Sequence, residues 1–172
     1  MRREILKRRL LLAEDDESCR LLVSEILRDA NIQIIQAWDG IIAKKMYQRC
    51  VRDIDLVIID ICLPGLDGFE LLKELRKINP RVIAIAMSAL SPSLLIDKCG
   101  EAGFDTLISK PFDASQFRQT IISYLKKSQK QQLAIKHIFF TSYLHQVRIN
   151  PVVKRPSSQR QIKIMAITRC LF

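Results

Sequence analysis

What the chain lacks narrows its class first. No C-x-x-C pair occurs, and the five cysteines (Cys19, Cys50, Cys62, Cys99 and Cys170) stand alone in 172 residues. That argues against a structural zinc site and against the disulfide framework of a small secreted chain, so a reducing, cytoplasmic setting is expected. No apolar run approaches the roughly 18 residues of a membrane span. The start carries Arg2, Arg3, Lys7, Arg8 and Arg9 with no long apolar stretch behind it, and no signal peptide is expected. Acids are missing from one end: residues 126–172 hold ten Lys/Arg and no Asp or Glu, whereas residues 1–125 hold 18 of each. The net charge of +10 therefore belongs wholly to the tail.

What is present is enough for a core. Apolar residues make up 48% of the chain and charged residues 27%, and the length suits one domain of about 100–150 residues with a remainder. The charge break sets the expected division: a basic lead over 1–8, a domain over 9–126 and a basic tail over 127–172. Two apolar patches in the tail, Leu133–Leu144 and Ile162–Ile167, are separated by Pro151 and Pro156. It is too short and too punctuated for a second domain of usual size, and it holds no Cys/His finger and no defensible helix-turn-helix. Its charge permits phosphate contacts to nucleic acid, and its composition equally suits a poorly ordered extension.

Within residues 9–126 short apolar runs alternate with amphipathic stretches of helical length. The runs Leu10–Ala13, Ile32–Ala37, Leu56–Ile59, Val82–Ala86 and Thr106–Ile108 are too short for helices and rich in β-branched residues, and they predict five strands. Helical stripes follow them: Leu22 and Ile26 with Val23 and Leu27 beside them; patterns over 40–51 and 93–102; Leu71, Leu75 and Ile78; and Phe117, Ile121, Tyr124 and Leu125. Strands apolar throughout belong to a sheet covered on both faces, so the expected fold is α/β, a doubly wound five-stranded parallel sheet with five helices. Ligands of such sheets bind beyond the carboxyl ends of the strands.

Those ends carry chemistry. The first strand runs into Glu14-Asp15-Asp16-Glu17, a set of acids that can cap the following helix or gather at a site. The third ends at Asp60, which can serve an Asx turn or join the first group. The fourth leads to Ser88 and the fifth to Lys110-Pro111. Carboxylates brought together raise one another's pKa unless a cation sits among them, and oxygen-only ligands suit Mg²⁺. A hydroxyl and an ammonium beside such a cluster can hold the oxygens of a phosphoryl group while a carboxylate acts as its nucleophile.

Taken in order, Leu-Leu-Leu-Ala-Glu14-Asp15-Asp16, then Val-Ile-Ile-Asp60-Ile-Cys-Leu-Pro64-Gly-Leu-Asp67-Gly68, then Ala-Met-Ser88-Ala, then Ser-Lys110-Pro111-Phe112, the chain from about Arg9 to Leu125 resembles the receiver domain of two-component response regulators, a flavodoxin-like fold. The resemblance implies that Asp60 accepts a phosphoryl group from a phosphohistidine of a sensor histidine kinase or a histidine phosphotransfer protein. It implies that Asp15, Asp16, Asp60 and the backbone carbonyl of Cys62 hold Mg²⁺, that Ser88 bonds a phosphoryl oxygen and that Lys110 pairs with Asp60. It also implies a cis bond before Pro111, a tight backbone at Gly68, and a phosphorylation-dependent contact with a downstream protein, in place of turnover of a small substrate.

One position departs from the pattern. Three residues before the lysine the family commonly carries Tyr or Phe, an aromatic switch, and here stands Leu107; Phe104 lies in another register. Two further functions remain to be weighed. One is a transcriptional regulator whose tail binds DNA. The other is an aspartyl-phosphate phosphohydrolase, which would place a second acid two residues after its nucleophile, where this chain has Cys62.

Overall fold

The computed structural model describes residues 7–51 and 53–128. The expectations for the tail, including nucleic-acid binding, lie outside the described residues, as does most of the basic lead. The elements alternate: β1 (Arg8–Ala13), α1 (Glu17–Leu27), β2 (Ile32–Ala37), α2 (Gly40–Cys50), β3 (Leu56–Asp60), α3 (Gly68–Ile78), β4 (Ala84–Ser88), α4 (Pro92–Ala102), β5 (Thr106–Ser109) and α5 over residues 114–128. All strand pairs are parallel, in the order β2-β1-β3-β4-β5.

The period-2 alternation of strand side chains divides the core into two layers. Leu11, Ala13, Val57, Ile59, Ala84 and Ala86 face one way, against Ala43 and Tyr47 of α2, Leu71 and Leu75 of α3, and Leu95 and Cys99 of α4. Leu10, Leu12, Leu56, Ile58, Ile85 and Met87 face the other, against Val23 and Leu27 of α1 and Phe117, Ile121 and Leu125 of α5. Both faces are covered, which is why the strands show no polar alternation.

Details differ from expectation. β4 begins at Ala84, not Val82, because the Val82 amide closes a turn onto the Asn79 carbonyl at 3.1 Å. β1 begins two residues earlier than its apolar run, at Arg8. In α1 the buried pair is Val23 and Leu27, while Leu22 is 49% exposed. Among the described residues no helix is long and apolar enough to cross a membrane.

The strand order places the functional edge. From β1 the chain moves outward to β2 and then returns to β3 on the other side of β1, so the carboxyl ends of β1 and β3 flank the point where the winding reverses, which is where ligands of such sheets bind.

Candidate functional site

Asp60 is the last residue of β3 and only 6% exposed. The β1–β3 register pairs Ala13 with Ile59, so the next residue of each strand, Glu14 and Asp60, emerge side by side. Glu14 is fully buried and its amide extends the sheet by one bond, to the Ala37 carbonyl at 2.9 Å. The Cys62 amide donates to Asp60 Oδ1 at 2.8 Å, an Asx-type turn that fixes the carboxylate.

Lys110 completes the core of the site. It follows β5, its amide bonded to the Ser88 carbonyl at 2.7 Å, and its bond to Pro111 is cis. Its side chain reaches past the end of β4 to place Nζ 2.5 Å from Asp60 Oδ2 and 2.7 Å from Glu14 Oε2. One ammonium thus bridges two strands, with a fifth of its side chain exposed. Burial raises the Glu14 pKa above the usual carboxylate range and the neighbouring Asp60 charge adds to this, while the hydrogen bond from Lys110 opposes it. Burial pulls the Lys110 ammonium down, but its hydrogen bonds to Asp60 and Glu14 outweigh that and hold its pKa above the ordinary value. The lysine is therefore held charged between the two acids.

One carboxylate oxygen from each of Glu14, Asp15 and Asp60 lies within 4.8 Å of the others, with Asp15 exposed at the mouth. A set of hard oxygen donors open to water on one side fits Mg²⁺, which keeps several waters and takes few carboxylates. Asp16 is not among them. Its side chain accepts the Ser18 amide at 2.8 Å as the N-cap of α1, so the helix-capping reading of the acidic run describes Asp16 and the gathering reading describes its two predecessors. Glu14 is the residue the sequence analysis left without a site role.

Ser88 ends β4, fully buried, beside Ser109 of β5, and its Oγ accepts the Leu90 amide at 3.1 Å. Cys62 lies two residues past Asp60, exposed. Gly68 carries a close approach: a Cβ there would stand 2.6 Å from the Asp60 carbonyl oxygen, and its amide bonds the Ile61 carbonyl at 3.0 Å. Leu107 is half-buried against the core layer of α2, α3 and α4. Phe104 stacks edge-on against Phe69 of α3, ring centres 5.9 Å apart, and so packs between helices.

A doubly wound parallel sheet with two buried acids, a bridging lysine and a buried serine at its carboxyl edge defines a class: α/β proteins with an acidic, cation-bridged pocket at the topological switch point. The chain belongs to the response regulator receiver domain family, which residues 10–122 match. It is a receiver domain of two-component phosphorelay systems. It is 30% identical over 121 residues to sporulation initiation phosphotransferase F of Bacillus subtilis (strain 168), covering 70% of this chain and 96% of that protein. It is 26% identical over 123 residues to the sensor histidine kinase RcsC of Escherichia coli (strain K12), covering 72% of this chain but only 13% of that one. Among solved structures, it is similar to a chain of the CheX-CheY-BeF3-Mg+2 complex from Borrelia burgdorferi, with TM-score 0.64, 28% identity, and coverage of 67% of this chain and 87% of that one.

Proposed function

We propose that the pocket accepts a phosphoryl group on Asp60 from the phosphohistidine of a sensor histidine kinase or a histidine phosphotransfer protein, in the cytoplasm, and that the phosphorylated domain changes its contact with a downstream protein. The observation that carries this reading is Lys110 held charged between buried Asp60 and Glu14. A carboxylate oxygen of Asp60 forms the new O–P bond as the P–N bond to the imidazole breaks, and the electron pair stays on the imidazole nitrogen. The Cys62 amide holds Asp60 in aim, and Lys110 offers a cation to the phosphoryl oxygens as charge spreads over them. Ser88, at the neighbouring strand end, is the hydroxyl within the same edge that suits a phosphoryl oxygen. Glu14, Asp15 and Asp60, with the Cys62 carbonyl, would hold Mg²⁺, which when bound neutralises charge on the transferring group. Asp16 caps α1 and lies outside the group of three acids whose oxygens converge.

The acceptor is consumed in its own reaction until the acyl phosphate hydrolyses, so the domain is a switch and no enzyme for a small substrate; Cys62 in place of a second acid also speaks against a phosphohydrolase. Incubation of the full chain with acetyl phosphate and MgCl₂, followed by mass spectrometry, should add one phosphoryl group at Asp60. Asp60→Asn keeps the shape without the nucleophilic charge but can keep only one of the two bonds that Oδ1 and Oδ2 accept from Cys62 and Lys110, and it should take up none while still unfolding cooperatively. Labelling of the Asn variant to the same extent would overturn the assignment, and steady turnover of a simple phosphoester would restore the hydrolase.

A further inference from the structure

We infer that Arg20 is a positioning residue for the metal-binding acids, holding the β1–α1 loop so that the Glu14 and Asp15 carboxylates converge with Asp60; the inference rests on the Mg²⁺ reading above. Arg20 stands in the first turn of α1, where its amide makes the opening helical bond to the Asp16 carbonyl at 3.0 Å. Helical side chains lean toward the helix N-terminus, and this one folds back over the loop. A single nitrogen, Nη1, donates to two successive carbonyls, Glu14 O at 2.8 Å and Asp15 O at 2.7 Å.

These carbonyls belong to the two acids of the cluster that β1 supplies. The passage from strand to helix takes them out of the sheet ladder, and Arg20 gives both a charged donor, the stronger kind of hydrogen bond. Holding two consecutive peptide planes fixes the direction in which each acid leaves the backbone. The turn that carries Arg20 is itself anchored: Ser24 Oγ donates to the Arg20 carbonyl at 2.8 Å, and Gln36 of β2 donates to Ser24 Oγ at 2.9 Å. A line of hydrogen bonds thus runs from β2 through α1 to the acidic loop.

Charge alone predicts the opposite effect, which makes the inference testable. A guanidinium near carboxylates competes with a bound cation, so its removal should tighten Mg²⁺ binding if Arg20 acts only through its charge. If it acts by positioning, removal should weaken binding. The test is titration of the full chain with MgCl₂ alone at fixed ionic strength, by calorimetry and by the fluorescence of Trp38, which follows the residue whose carbonyl takes the Glu14 amide. Arg20→Met, keeping the apolar stem, should raise the Mg²⁺ Kd about tenfold, in the range usual for outer-shell partners of metal ligands. Arg20→Lys, keeping a charged donor, should recover part of that loss. Should Arg20→Met fail to fold, Arg20→Gln carries the same comparison. A folded variant with unchanged or tightened Mg²⁺ binding overturns the inference and leaves the metal reading standing, whereas a wild-type chain that binds no Mg²⁺ overturns both.

Discussion

Helices α3 and α4 follow the strands that supply Asp60 and Ser88, yet they are built to different standards. α3 opens with a capping box, in which the Asp67 side chain accepts the Glu70 amide at 2.8 Å and Glu70 reaches back to the Asp67 amide. It buries Gly68, Leu71, Leu72 and Leu75, and its first residue presses on the carbonyl of Asp60. α4 opens at Ser91 with no side-chain cap bond and buries only Leu95 and Cys99, one contact per helical turn. Leu94 and Ile96 stand 66% and 59% exposed. The Asp60 carboxylate is thus tied to a well-anchored helix, while the serine leads into a more thinly anchored one, where local opening should need less free energy than in α3. If the pocket works as proposed, holding Asp60 still while its surroundings respond, that inequality serves it.

The sharpest way to break the comparison is to loosen α3 at its first residue. Gly68→Ala would put a Cβ 2.6 Å from the Asp60 carbonyl oxygen and 2.8 Å from the Ile61 Cα, both backbone atoms with little room to yield. The expected loss is about 1–3 kcal/mol, the range of overpacked buried sites, read as a lower urea midpoint. On the proposed function, phosphoryl uptake should slow as well, because the displaced backbone carries Asp60. Unchanged stability would mean that α3 is not seated as tightly as its contacts indicate.

The caps give the next effect. Asp67→Ala removes a bonded cap and should lower stability by about 1 kcal/mol, whereas Ser91→Ala removes a residue that caps nothing and should change it by less than about 0.5 kcal/mol. Equal losses, measured by urea unfolding, would erase the difference between the helices. Gly100 allows α4 to be strengthened: a Cβ there meets nothing within 4 Å, so Gly100→Ala should stabilise the chain by about 0.5–1 kcal/mol through helix propensity. If α4 needs its looseness to respond to phosphorylation, the same variant should blunt any change in α4 amide exchange on labelling Asp60.

How much of this was legible in the sequence depends on phase. Uniformly apolar strands bounded by turn residues announced the five-stranded sheet, and their ends announced Asp60, Ser88 and Lys110 as neighbours, because the topology of a doubly wound sheet brings those ends to one edge. Runs without alternation carry no phase, however. Leu21-Leu22-Val23 offers three candidates for the buried face of α1, and packing selects Val23. The run Glu14-Asp15-Asp16-Glu17 likewise does not say which acids turn inward; the pairing of Ala13 with Ile59 decides that, and only backbone coordinates contain it. Apolarity also marks burial and not strand pairing, so Val82 is buried while its amide closes a turn outside β4. Arg20 gave no signal at all, since its task is to bond backbone carbonyls, which every sequence possesses.

The smallest expected effect concerns what else holds α3. Glu74 accepts Lys44 of α2 at 2.8 Å and also pairs with Lys77 one turn on, whereas no ion pair among the described residues involves α4. The hydrogen bonds from Lys44 and then Lys77 lower the Glu74 pKa to about 2. A carboxyl whose pKa is lower folded than unfolded favours the folded state once it is ionised. That contribution is complete above the unfolded value near 4.5 and is lost as pH falls from there toward 2. Glu74→Gln removes this titration, so the difference in urea midpoint between wild type and variant should shrink as pH drops through that window. Both lysines lie near solvent, so added salt should narrow the difference as well. A difference that stays constant from pH 5 to 2 would show that Glu74 holds α3 to α2 by packing and not by charge.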